Sequence, residues 1–233
     1  MENSMIIGLQ GLIKRFPIGG GEFTALNGVD LTFRKGEFTG LVGPSGSGKT
    51  TMLNIIGSLD SPSEGSAVVL GQSIGKLSHK KAAKLRNRHI GFIFQTYNLL
   101  PVYSVFENVE YPLLLLKMSE EERGKTVLDA LEWVGLSGKE KSKPAQLSGG
   151  ECQRVSIARA MVKKPEMVLA DEPTANLDAK NSHHILQTME TLNKELQTTF
   201  IFATHDEKVI SYLRRKIVLE DGKVIRDELI SKD

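Results

Sequence analysis

Along this chain apolar residues gather in short runs, each closed by glycine, proline or a polar residue, and the period of the runs changes midway. Ile6 to Ile13 and Val29 to Phe33 have strand composition and are separated by Gly19-Gly20-Gly21 and Asn27-Gly28, so the spacing predicts an N-terminal antiparallel β segment. Phe38 to Val42 reads as the next strand, and Thr51 to Ile56 is apolar enough to predict a buried helix. Ile90 to Phe94, Met167 to Ala170 and Phe200 to Ala203 are further β-type runs, ending at Gln95, Asp171 and Thr204-His205. With helices between them they predict a mostly parallel sheet. Between Gln95 and Pro165 the period becomes helical, as in Val127, Leu128, Leu131 and Val134, with Pro101, Pro112 and Pro144 as breakers. Near the end, Lys216 to Leu219 and Lys223 to Ile225 flank Asp221-Gly222, the pattern of a β-hairpin. The fold class is therefore α/β, with an N-terminal antiparallel β subdomain and an inserted helical subdomain.

Ligands of a parallel sheet sit beyond the carboxyl ends of its strands, which puts Gln95, Asp171, Glu172 and His205 on one rim. The loop after Val42 opens on the same rim and reads Gly43-Pro44-Ser45-Gly46-Ser47-Gly48-Lys49-Thr50. It matches the phosphate-binding pattern G-x-x-x-x-G-K-[ST] at every fixed position, after a strand and before a helix. Gly43, Gly46 and Gly48 let backbone N–H groups turn inward around phosphates. Lys49 supplies a positive charge for the β- and γ-phosphate oxygens, and Thr50 a hydroxyl for Mg²⁺. The helix opening at Thr51 adds a dipole that favours the anion. Asp171 is placed to hold Mg²⁺ through its water shell, and Glu172 to orient and polarise an attacking water. Adjacent acids at a strand end are often only a solvated edge, but downstream of a phosphate loop they read as its second element.

Composition narrows the partners. The 233 residues, 40 % hydrophobic and 25 % charged, suit one ordinary globular domain or two small ones. A formal net charge of +2 gives no case for a nucleic-acid binder, and the basic run His79 to His89 reads as a solvated helix face. Cys152, the sole cysteine, excludes an internal disulfide and fits a reducing cytoplasm. The N-terminus MENSMIIGLQG lacks a basic start and a long apolar core, so no secretory leader is expected. Pro112 to Leu116, the most apolar run, falls far short of the roughly 20 residues that span a bilayer. A membrane process served by this chain needs another polypeptide to cross the membrane.

Leu147-Ser148-Gly149-Gly150-Glu151 precedes a predicted helix, Cys152 to Lys163. Two glycines at a helix mouth predict a second anion-binding nest, although the first loop already cradles one triphosphate. A second phosphate reader implies a second molecule. At these residues the chain resembles the ATP-binding cassette family, in which LSGGE is the signature. The likeness covers nearly the whole chain and keeps the family's order: GPSGSGKT, Gln95, LSGGE, LADEP, Asn176-Leu177-Asp178 and His205.

The resemblance implies a single nucleotide-binding domain over 1–233, with an ATP-binding core at 1–95 and 165–233 and a helical signature subdomain at about 96–164. It implies ATP and Mg²⁺ as ligands and a head-to-tail homodimer. The phosphate loop of one copy, with Thr50 and Thr51, and Ser148, Gly149, Gly150 and Glu151 of the other would enclose each ATP. By the same resemblance Gln95 ligates Mg²⁺ and senses a transmembrane permease, Asp171 is the Mg²⁺-site acid, Glu172 the base and His205 the switch histidine at the γ-phosphate. Asp178 would couple the two sites, and Leu99 to Val109 would border the permease's groove. Phe16 stands where the family usually has an adenine-stacking tyrosine, Cys152 where a polar residue is commoner, and Ala175 where close relatives often have glycine.

Within the family the chain is similar to the short cassettes of lipoprotein release and macrolide export. The likeness lies in Lys14-Arg15-Phe16, Thr51 to Gly57 with Leu59-Asp60, Asn98-Leu99-Leu100-Pro101, Glu107-Asn108-Val109 and LADEPTANLD. That implies an ATPase on the cytoplasmic side of the cell membrane, peripheral through a few-span permease. A mechanotransmission ATPase of a cell-division or envelope-remodelling complex, moving no cargo, stays open. A cassette acting on ribosomes or DNA usually has tandem modules or long insertions absent here, and LSGGE with His205 argues against a phosphate-loop kinase.

Overall fold

The computed structural model describes residues 4–230. Residues 1–3, the start of the N-terminus read as leaderless, and 231–233, the end of the expected unit, lie outside the described residues. β1 (Met5–Ile18) and β2 (Gly21–Arg34) form one long antiparallel hairpin that turns at Gly19-Gly20. Both outrun their apolar segments, because the ladder continues through Phe16 opposite Phe23 to Ile18 opposite Gly21. Asn27-Gly28 therefore does not separate strands. Leu12 faces Val29 while Ile13 faces Asn27, so Gly28 is the extra residue of a bulge inside β2.

Next come β3 (Phe38–Val42), α1 (Lys49–Ile56), β4 (Glu64–Val69), β5 (Gln72–Ser73), α2 (His79–His89) and β6 (Ile90–Ile93). Three helices follow: α3 (Val105–Leu114), α4 (Glu120–Trp133) and α5 (Gly149–Met161). The chain then adds β7 (Met167–Asp171), α6 (Ala179–Leu196), β8 (Thr199–Thr204), α7 (Glu207–Ile210), β9 (Arg215–Glu220) and β10 (Lys223–Leu229). One sheet is antiparallel, in the order β2-β1-β4-β5. The other runs β10-β9-β3-β8-β7-β6 and is parallel except for the β9-β10 hairpin, which turns at Asp221-Gly222 as that dipeptide predicts.

Two apolar cores flank the parallel sheet. Between the sheets, α1 contributes Met52, Leu53, Ile55 and Ile56, packed with Leu9, Leu26 and Phe33 from the hairpin and Leu41, Ile201 and Ile217 from the sheet. On the opposite face, Phe38, Phe200 and Phe202 pack against Val109 of α3, Leu131 of α4, Ile157 of α5 and Ile185 of α6. Along β8 the side chains alternate between these cores, Phe200 and Phe202 to the helices, Ile201 and Ala203 to α1. A strand buried on both faces reads as a continuous apolar run, which is why β3, β7 and β8 are plain in the sequence.

Two boundaries differ from the sequence reading. Pro112 does not break the chain but lies in the last turn of α3. A proline there forfeits one backbone bond, and the buried face formed by Val105, Val109 and Leu113 holds the helix together. α5 starts at Gly149 rather than Cys152, because Ser148 caps it. Its Oγ accepts from the Glu151 N–H at 3.2 Å, while Glu151 accepts from the Ser148 N–H at 2.8 Å.

Candidate nucleotide site

The loop from Gly43 to Gly48 joins β3 to α1, and two of its glycines are required by the protein's own packing. Gly48 has φ +102°, and a Cβ there would lie 2.6 Å from the Ala25 carbonyl oxygen. A Cβ at Gly43 would run into the Leu219 carbonyl oxygen. The hairpin β1-β2 and strand β9 thus close on the loop from behind. A Cβ at Gly46 meets nothing within 4 Å. Lys49 is buried, and its Nζ donates to the carbonyls of Gly43 at 2.7 Å and Pro44 at 2.8 Å. Burial pushes this ammonium below the ordinary lysine range, against the pull of the Glu172 and Asp171 charges. The first N–H groups of α1 have no partner within the helix, and the buried Ser47 Oγ has none among the described residues. Both suit a phosphate oxygen.

β7 ends at Asp171, whose carboxylate accepts from Thr50 Oγ1 at 3.2 and 3.0 Å. Burial, with Glu172 adding to it, pushes the Asp171 carboxyl up, while Thr50 and Lys49 oppose the shift. Glu172 follows in the left-handed region at φ +46°, uncommon for a side chain of this size. Three contacts hold it there. Its N–H donates to the Ala203 carbonyl at 2.9 Å, its Oε2 accepts from Thr204 Oγ1 at 3.1 Å, and its Oε1 lies 2.7 Å from His205 Nδ1. Glu172 is 15 % exposed and His205 66 %, so the pair leads from the protein to solvent.

A cleft of about 410 Å³ gathers Ser45, Gly46, Gly48, Lys49, Thr50, Thr51, Gln95, Asp171, Glu172 and His205. Every one of these is a residue that the sequence singled out. Phe23, Ala25 and Ala175 line it as well. Phe23 was missed: it carries no motif, and only the folding of β2 over the loop brings it there. Phe16 lies directly opposite Phe23 in the hairpin but is not part of the lining, and the Lys14 ammonium sits 4.9 Å from its ring centre. Pro44 is exposed beside the cleft. Gln95 is tied to the segment that follows β7 through its carbonyl, which accepts from Asn176 Nδ2 at 2.8 Å.

Ser148, Gly149, Gly150, Glu151 and Asp178 do not line this cleft. The two glycines do not form a nest of the expected kind, since neither has a positive φ and both belong to the first turn of α5. What that segment presents is a helix start. A Cβ at Gly150 would lie 2.7 Å from Asn181 Oδ1, so packing on α6 also requires a small residue. Glu151 is held below the usual carboxylate range chiefly by the Ser148 N–H, and ion-pairs with Lys139 at 3.2 Å. Asp178 caps α6 by accepting from Asn181 N–H at 2.9 Å and Nδ2 at 2.6 Å, which likewise depresses its carboxyl.

A phosphate loop, a carboxylate pair and a histidine on adjoining strand ends define a nucleoside-triphosphate-hydrolysing cassette. Residues 26–175 match the family model described as ABC transporter, and the chain belongs to that family. It is 44 % identical over 222 residues to the lipoprotein-releasing system ATP-binding protein LolD of Pseudoalteromonas translucida, covering 95 % of this chain and 96 % of that one. It is 43 % identical over 224 residues to the macrolide export ATP-binding/permease protein MacB of Burkholderia thailandensis, covering 96 % of this chain and 34 % of MacB. The structure is also similar to the dimeric ATP-binding cassette MJ0796 in a post-hydrolysis state bound to ADP and Pi. The TM-score is 0.90 at 41 % identity, over 98 % of this chain and all of that one. The expected α/β cassette fold, ATPase class and likeness to the lipoprotein-release and macrolide-export group are met. Among the described residues no helix is long and apolar enough to cross a membrane.

Proposed function

We propose that this chain powers a separate membrane permease of the lipoprotein-release or macrolide/peptide-export type, by ATP-driven closure of a head-to-tail homodimer. The single observation that carries the dimer is that one chain holds a phosphate cleft and, outside its lining, the Ser148-capped helix start that carries the signature residues Gly149 and Gly150. In the proposed assembly each phosphate loop faces the partner's Ser148, Gly149 and Gly150, with Asp178 coupling the two sites. The likenesses to LolD, MacB and the MJ0796 dimer support this reading.

Within one site, Lys49 leaves its loop carbonyls for the β- and γ-phosphate oxygens. Thr50, Gln95 and Asp171 supply a hydroxyl, an amide and a carboxylate, hard oxygen donors that suit Mg²⁺ with waters and phosphates completing its shell. When bound, that ion neutralises charge developing on the transferred phosphoryl group. Glu172 takes a proton from water as the water oxygen bonds to the γ-phosphorus, the bond to ADP breaks, and ADP leaves with the electron pair. His205 holds Glu172 from one side and Thr204 from the other. Phe23 flanks the base end, with Phe16 opposite it in the hairpin. The helical stretch at about 96–164, between core segments 1–95 and 165–233, forms the signature subdomain, a reading supported by the shared packing of α3, α4 and α5. The permease docks near Gln95 and Leu99–Val109 and holds the chain peripherally on the cytoplasmic face.

The test is a pull-down of tagged chain from gently solubilised native membranes, with mass-spectrometric identification of what is recovered. A few-span permease with a large outer domain is expected. A many-span permease with a solute receptor would redirect the reading to uptake, and division proteins alone would favour force transmission without cargo.

A further inference from the structure

α2 is held to the protein by the buried Leu85 and by the Arg86 guanidinium, which donates to the Ser58 carbonyl at 2.6 Å. The rest of its surface is basic. Lys80, Lys81, Lys84 and Arg88 are exposed, as is Lys76 just before the helix. Among the described residues none of these five enters an ion pair. Glu166 approaches α2 at its last residue, 2.8 Å from His89 Nδ1. From Gly65 to Phe106 the chain has six Lys and Arg and no Asp or Glu, although the formal net charge of the whole is only +2. Positive charge is therefore concentrated here, and the remainder of the chain is net acidic.

The arrangement works against the helix. Lys80 and Lys81 stand in the first turn, where the helix dipole favours acids and none is present. Lys80, Lys84 and Arg88 follow one another at the i,i+4 spacing, which lines them up on one ridge and makes like charges repel. Solvation explains why the run is exposed, but not why its cations share a ridge against the helix's own preference. Lys81, Lys84 and Arg88 also line, with Gln72 and Leu77, a depression of about 340 Å³. Ammonium and guanidinium groups around such a depression suit a phosphate.

An anionic surface brought to α2 relieves both penalties at once, at the first turn and along the ridge. We propose that the outer face of α2 rests on acidic phospholipid headgroups, whose phosphates pair with Lys80, Lys81, Lys84 and Arg88. A straight ridge of exposed cations matches the plane of a bilayer and its negative surface potential. A strand of nucleic acid is ordinarily held by aromatic side chains among the cations, and Ile74 to His89 has no Phe, Tyr or Trp. α2 also leads through β6 directly to Gln95, on the side where the permease is proposed to dock. The inference rests on that proposed place at a membrane for the choice of lipid over other polyphosphates, and on the charge pattern for the rest.

The experiment is co-sedimentation of the full chain with vesicles of phosphatidylcholine alone and of equal parts phosphatidylcholine and phosphatidylglycerol. Binding to the acidic vesicles and not to the neutral ones is expected. Each Lys or Arg near an acidic bilayer strengthens binding about fivefold, so combining Lys80→Gln, Lys81→Gln, Lys84→Gln and Arg88→Gln should weaken it about a hundredfold or more. That variant should hydrolyse ATP as the parent does and melt no lower. Lys80→Arg, Lys81→Arg and Lys84→Arg together should keep the parent's binding. No binding to acidic vesicles, or equal binding by the glutamine variant, would overturn the inference. So would tighter binding of the chain to a single-stranded RNA than to the vesicles. These assays contain no permease, so their failure leaves the transport reading intact. A pull-down without permease, with vesicle binding through α2 retained, would overturn the transport reading alone.

Discussion

His205 Nδ1 lies 2.7 Å from Oε1 of Glu172, and adjacent parallel strands, β7 and β8, set the pair by pairing Asp171 with Ala203. The contact therefore ties the ring of His205 to the position of the base. Glu172→Gln should keep ATP affinity within about threefold and lower kcat by roughly 10²–10⁴, the usual worth of a general base. Phosphate release and a competition binding assay measure the two quantities. Near-normal turnover would remove Glu172 from the chemistry.

Glu172 holds φ +46°, where a Cβ is strained. Glu172→Gly should therefore be more stable than Glu172→Ala by about 1 kcal/mol, although both lose the same carboxylate. Urea midpoints of the two variants give the comparison. Equal midpoints would mean the surrounding contacts do not impose the conformation.

Lys49 is a buried ammonium whose two carbonyl partners belong to the loop itself. Lys49→Ala should weaken ATP binding at least tenfold, about 1.4 kcal/mol, because charge-assisted bonds to phosphate are lost. Competition against a labelled nucleotide reads it directly.

Phe23 is 48 % exposed and lines the cleft, while Phe16, 36 % exposed, sits across the ladder beneath the Lys14 ammonium. Phe23→Ala should weaken ATP by the worth of one base stack, about 1–3 kcal/mol. GTP should lose as much, because stacking does not read base edges. A change confined to one nucleotide would require a contact of another kind.

Lys163 should titrate near 8, below the ordinary lysine range, because burial disfavours its charge. Its ammonium is then the dominant form below that pH and the neutral amine above it. Isotope-labelled methylation of the lysines, followed by a magnetic-resonance titration of the isolated chain, should show one resonance with that midpoint, absent in Lys163→Met.

How far the sequence could be read depended on the range of the forces involved. β3, β7 and β8 were legible because strands buried on both faces leave unbroken apolar runs, and the phosphate loop because its spacing is local. Pro112 misled because tertiary packing of Val105, Val109 and Leu113 outweighs one lost backbone bond. Asn27-Gly28 looked like a turn, yet a bulge uses the same residues inside a strand. Phe23 was invisible because its place in the cleft depends on β2 closing over a loop more than twenty residues later. Gly149 and Gly150 were noticed for the right segment, but their smallness serves packing against Tyr97 and Asn181 as well as access to a helix start.

The central claim is that each working site draws its phosphate loop from one copy and its signature helix from another. Mixing two inactive variants tests it most directly. Lys49→Ala spoils the loop and leaves Ser148 intact, whereas Ser148→Arg spoils the helix start and leaves the loop intact. Alone, each should release little phosphate from Mg·ATP; mixed in equal amounts, they should recover activity, because one of the two sites in a mixed pair combines the intact halves. No recovery on mixing, or full activity of Ser148→Arg by itself, would contradict the shared site.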